Sequence, residues 1–121
     1  MNKSEDLVSK LCTKSFLSLW SYSNPRGKDS SKELCDILVV CEPDVIVFSV
    51  KEINLTNSGD MSVRWLRWRK KAIEDSCKQI YGAERRISES ANVITKEGKV
   101  GLSFPHVSCR RIHRVAIALG S

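Results

Sequence analysis

Two apolar runs, "LCDILVVC" (34–41) and "VIVFSVKE" (45–52), flank the tripeptide Glu42-Pro43-Asp44. Both are rich in β-branched residues and of strand length, and Pro43 and Asp44 suit a tight turn. The pattern predicts an antiparallel hairpin. Both runs are apolar on both faces, so each side of the sheet needs a cover. A helix over 5–20 precedes them: Leu7, Val8, Leu11 and Leu19 recur near helical spacing, Ser4 suits an N-cap, and Glu5 and Asp6 complement the positive helix start. Pro25, Gly27 and the serines of "SYSNPRGKDSSK" (21–32) predict a surface loop.

After a polar linker, "NLTNSGD" (54–60), a long helical stretch runs over 62–90. Leu66, Ile73, Ile80 and Ile87 repeat every seven residues, Cys77 and Tyr81 fill in between, and Gly82 is the expected point of a kink. "NVITKEGKVGL" reads as a hairpin turning at Glu97-Gly98, and "IHRVAIAL" as a further strand. The order predicts an α/β fold, a small mixed β-sheet with helices on both faces.

The 121 residues, 41% hydrophobic and 28% charged, are enough for one domain with a proper core. The apolar runs are too short to cross a bilayer, and the N-terminus lacks the apolar stretch of a secretory signal. Five cysteines without a CxxC pair or a Cys/His cluster fit a reduced, cytoplasmic protein better than a disulfide framework or zinc site. The chain stops directly after a strand, as an N-terminal domain of a longer protein would. A second domain, a partner protein or a second copy would then supply specificity.

The formal charge of +6 matters less than its placement. "RWLRWRKK" concentrates Arg64, Arg67, Arg69, Lys70 and Lys71, and "RRIHR" adds three arginines at 110–114. Such clustering favours a polyanionic partner, nucleic acid above all. Trp65 and Trp68, three apart, share a helical face, which is most often a core face. On that reading the cations are a solvated rim; on the other they run along a phosphate backbone. "GKVG" (98–101) lies in a hairpin, without the helices that a single-strand-binding GxxG loop needs. His106 and His113 have no partners at ligand spacing.

Charge at the hairpin's open end is the candidate chemistry. Asp36 starts the first strand, Lys51 closes the second on the face of Ser49, and Glu33 stands just outside. A structural ion pair between Asp36 and Lys51 accounts for two of these residues. All together they are also a hydrolytic set: carboxylates hold a hard divalent cation, the cation activates water, and an ammonium stabilises phosphoryl charge.

This stretch resembles the core of the PD-(D/E)XK nuclease superfamily, the restriction-endonuclease-like fold. That family has a helix, an Asp on one strand, (Asp/Glu)-x-Lys on the next, and then a helix. Here the Asp is Asp36, the x-Lys is Val50-Lys51, and the helices are 5–20 and 62–90. Glu33 resembles the upstream acid of many members. Gln79 resembles a polar residue that some members carry on the following helix. The chain departs from the pattern at Ser49, where the second acid should stand.

The resemblance implies a metal-dependent phosphodiester hydrolase acting on nucleic acid, with DNA the expected substrate and Mg²⁺ or Mn²⁺ the cofactor. Asp36 and Glu33 would ligate the metal, Lys51 would position water or stabilise the transition state, and Gln79 would hold metal or phosphodiester. By analogy such domains suit genome defence or repair. The rival expectation is a nuclease fold that has lost its acid at Ser49 and binds nucleic acid or an acidic protein.

Overall fold

The computed structural model describes residues 3–27, 32–52 and 61–119. The linker expected at 54–60 lies outside them, as do 28–31 and the last two residues. Helix α1 (Lys3–Trp20) leads directly into a short strand, β1 (Ser21–Ser23). This corrects the expected loop at its first residues. Strands β2 (Ile37–Cys41) and β3 (Asp44–Glu52) form the predicted hairpin, turning at Glu42-Pro43 through a cis peptide. Strand β6 (Arg111–Leu119) completes a mixed four-stranded sheet in the order β1-β2-β3-β6. Its only parallel pair is β3–β6, with all nine residues of β3 in register against β6.

Strand alternation divides the core into two layers. Leu38 and Val40 of β2 and Val45 and Val47 of β3 face one way, against Ile80, Ala83 and Ile87. Ile37, Val39, Phe48 and Val50 face the other, against Val8 and Cys12 of α1. Ile37, Leu38, Val39, Val45 and Val47 are sealed from solvent. Each such side chain contributes about 1.5–3 kcal/mol of hydrophobic stabilisation. Helices therefore cover both faces, as the doubly apolar strands required.

On α1 the inward stripe is Ser4, Val8 and Cys12, at i, i+4 and i+8, whereas Leu7 and Leu11 are exposed. Ser4 does not cap; it lies inside the first turn, and its Oγ donates to Glu52 Oε2 at 2.8 Å. The Glu52 carboxylate thus lies at the positive end of α1, on the sheet face opposite Ser49 and Lys51.

The long helical stretch is α2 (Met61–Arg69), a π-helical segment (Lys70–Asp75) and α3 (Ser76–Ser88). The irregularity lies in the π segment, and Gly82 sits inside regular α3. A π turn takes an extra residue and rotates every later side chain about the axis. The seven-residue repeat is consequently split: Ile80 and Ile87 are buried, Leu66 and Ile73 exposed.

Strands β4 (Asn92–Ile94) and β5 (Val100–Ser103) form the second predicted hairpin, with Gly98 at φ +84° in its turn. Gly101 of the GxxG sequence has a packing role. A Cβ there would meet Tyr22 Oη at 2.9 Å, and that hydroxyl accepts the Leu102 N–H, also at 2.9 Å.

Candidate functional site

Strand β3 outruns β2. Their last pair at the open end is Ile37–Phe48, which leaves Ser49 to Glu52 without a β2 partner. Where the strands part, Asp36 folds in and its Oδ2 accepts the Val50 N–H at 2.7 Å. The carboxylate thus replaces a ladder partner that β2 no longer supplies. Asp36 is only 4% exposed.

Burying an ionised carboxylate costs several kcal/mol unless charge or hydrogen bonds compensate it. Here the second bond is long: Gln79 Nε2 donates to Oδ1 at 3.4 Å. No cation pairs with it among the described residues. Lys51 projects on the same face as Ser49, two residues farther along β3, and likewise makes no ion pair among the described residues. The expected Asp36–Lys51 bridge is absent because the register brings Asp36 to Ser49 and Val50, short of Lys51.

Ser49 is sealed from solvent, and its Oγ donates to Gln79 Oε1 at 2.7 Å. Gln79 therefore spans two strands, taking a proton from β3 and giving one to the start of β2. It reaches them because α3 packs Ile80, Ala83 and Ile87 onto this face of the sheet. Asp36, Ser49 and Gln79 are thus joined in one network, with Lys51 beside it.

Glu33 is held differently. Its carboxylate accepts the Asn24 amide, its backbone bridges to Arg26, and its carbonyl accepts Arg86 Nη1 at 3.0 Å. Asn24 also donates its N–H to the Asp36 carbonyl at 2.8 Å, from a left-handed backbone (φ +49°) that asparagine tolerates. Asn24 thereby fixes both acids of segment 33–36. Sequence reasoning passed over it as a loop residue, although Asn before Pro was a visible turn signal.

Ser76 was missed as well. It is fully buried one turn before Gln79 on the inward face of α3, and its Oγ has no hydrogen-bond partner among the described residues. Cys35 lies between the two acids. Burial first, then the charges of Asp36 and Glu33, push its thiol well above the ordinary value. It remains protonated, with Sγ directed at the Ile37 carbonyl at 3.4 Å.

The basic segment is not core. No residue of α2 is buried, and Trp65 is 54% exposed. The two indoles stack on each other, centroids 5.4 Å apart and planes within 11°. Arg67, Arg69, Lys70 and Lys71 are exposed, Arg64 is half-buried, and none forms an ion pair among the described residues. The arginines of the other basic run are engaged. Arg111 and His113 bind Asp44, Arg114 binds Glu84, and Arg110 donates to the Pro105 carbonyl.

Comparison with known protein families, curated proteins and solved structures found no match. Among the described residues no three His, Cys, Asp or Glu side chains cluster to hold a metal, and no helix is long and apolar enough to cross a membrane. The network's donors toward a cation are oxygens: Asp36 Oδ1, Gln79 Oε1 and Ser49 Oγ. One carboxylate with neutral oxygens cannot cage an ion alone. A magnesium-like ion there would need waters and substrate phosphate for its remaining ligands.

Proposed function

We propose that this protein is a metal-dependent phosphodiester hydrolase acting on DNA, of the restriction-endonuclease-like type that its sequence resembles. One observation carries the proposal: Asp36 is a buried carboxylate placed where two strands part, and among the described residues neither it nor Lys51 on the adjoining strand forms an ion pair. An acid and a base on one face of the sheet that are not paired with each other are available to a substrate. The order of helix, Asp-bearing strand, Lys-bearing strand and helix supports the same reading.

In the proposed reaction Asp36 and the Gln79 carbonyl would hold Mg²⁺ or Mn²⁺, which when bound would supply Lewis acidity and activate water. Lys51 donates from its ammonium to a non-bridging phosphoryl oxygen, stabilising the charge that builds in the transition state. Ser49 orients the Gln79 amide, and the Val50 N–H fixes the Asp36 carboxylate. Glu33, committed to Asn24, enters as an acid beside the site. Glu33→Gln should weaken Mn²⁺ binding less than Asp36→Asn does.

A specific observation favours the rival, a nuclease-like fold that binds without cutting. The Ser49–Gln79 bond joins two neutral side chains at the position where the second acid of the resembled motif would stand. Labelled duplex and single-stranded DNA, incubated with Mg²⁺, Mn²⁺ or chelator, separate the two. Metal-dependent fragments support hydrolysis; retarded but uncut DNA under every condition supports the rival.

A further inference from the structure

We infer that the stacked Trp65–Trp68 pair, flanked along the chain by cations that form no ion pair among the described residues, is a docking surface for single-stranded DNA. It rests on the proposal above for its partner, but not on catalysis. A helix rich in apolar residues normally buries them, yet α2 buries none and leaves Met61, Trp65 and Leu66 more than half exposed. Exposed apolar surface of this kind marks an interaction site.

Charge decides the partner. From Met61 to Ile73 the chain has five cations and no acid, and none of the five is neutralised by an ion pair among the described residues. Folding a second copy onto this face would bring its cations together at a cost. A polyanion is attracted to all of them.

The rings decide the form of the polyanion. In a duplex, bases are stacked on one another and their faces are closed to side chains. An unpaired strand offers those faces, and indoles flanked by cations are the usual platform for them. Trp65 and Trp68 are already parallel, so no ring must be reoriented when a base adds to the stack. Helical rise of about 1.5 Å per residue puts segment 64–71 about 12–22 Å along the helix axis from Gln79. A strand of several nucleotides spans that distance, with its backbone along the cations.

Binding of fluorescein-labelled oligo(dT), its duplex with oligo(dA), and oligo(U) is measured by anisotropy in chelator, so that cutting cannot intervene. Wild type should prefer oligo(dT) over the duplex. Trp65→Ala and Trp68→Ala should each weaken oligo(dT) binding about tenfold, and Trp65→Phe should restore most of it. The Arg67/Arg69/Lys70 triple alanine variant should flatten the salt dependence by roughly one log–log unit for each phosphate that is no longer neutralised. Equal affinity of the tryptophan variants and wild type would overturn the inference, as would tighter binding of oligo(U). So would tryptophan variants that abolish self-association in sedimentation and leave DNA binding unchanged. If metal-dependent cutting occurs without single-strand preference, only this inference fails. If no DNA binds at all, the proposed function fails with it.

Discussion

The Val50 N–H donates to Asp36 Oδ2 across 2.7 Å, joining the start of one strand to the unpaired extension of the next. This bond holds a charge where the fold alone has little use for one. The Val50 amide needs an acceptor there, but nothing in the sheet requires that acceptor to be ionised. Asp36→Asn keeps the acceptor and removes the buried charge, so its unfolding midpoint should equal or exceed that of wild type. Asp36→Ala orphans the Val50 amide and should cost about 1–3 kcal/mol. Urea denaturation of both variants checks the pair of outcomes. A large loss in Asp36→Asn would mean that the charge itself is structural.

Ser49→Glu introduces the acid that the resembled motif carries at this position. The position is sealed from solvent and bonded to Gln79, so the longer side chain must displace that amide. Overpacking costs about 1–3 kcal/mol, and a second carboxylate beside Asp36 adds repulsion that a divalent ion relieves. The variant should melt below wild type in chelator and gain more from Mn²⁺ than wild type does. Thermal denaturation at several Mn²⁺ concentrations measures both. An Mn²⁺ response no greater than that of wild type would remove this site from consideration.

Asp44 begins β3 and clasps β6, with Oδ1 2.8 Å from His113 Nε2 and 3.1 Å from Arg111 Nε. The His113 hydrogen bond above all, with the charge of Arg111 adding to it, holds its carboxyl below the ordinary carboxylate value against the opposing effect of desolvation. A carboxylate whose folded pKa is lowered stabilises the protein above its unfolded pKa, about 3.9. That stability is lost as pH falls through the folded value. Asp44→Asn should therefore melt below wild type at pH 5, and the gap should close at pH values under about 4. A gap independent of pH would assign the effect to packing.

Much of this architecture was legible in the sequence because hydrophobic period and turn chemistry are local signals. The β2–β3 hairpin, its turn at Pro43 and the turn at Gly98 all follow from residues within a few positions of each other. What was hidden depends on partners far away. The exposure of Trp65 and Leu66 follows from the π segment at 70–75, which no residue pattern announced. Three-residue β1 exists because β2 offers it an edge, not because "SYS" favours a strand. In the candidate site, Asp36, Ser49 and Gln79 were each picked out by the resemblance, but their hydrogen-bonded union depends on how α3 lies on the sheet. Asn24 and Ser76 were missed because a loop asparagine and a helical serine look ordinary until their bonds, or lack of them, are seen.

The central claim is that Asp36 supports metal-dependent cleavage, and nicking of supercoiled plasmid in Mn²⁺ tests it most directly. Wild type should convert supercoiled to open-circular DNA, and chelator should stop the conversion. Asp36→Asn, folded and binding DNA as wild type does, should leave the plasmid supercoiled. Equal nicking by Asp36→Asn and wild type, from preparations of equal purity, would contradict the account.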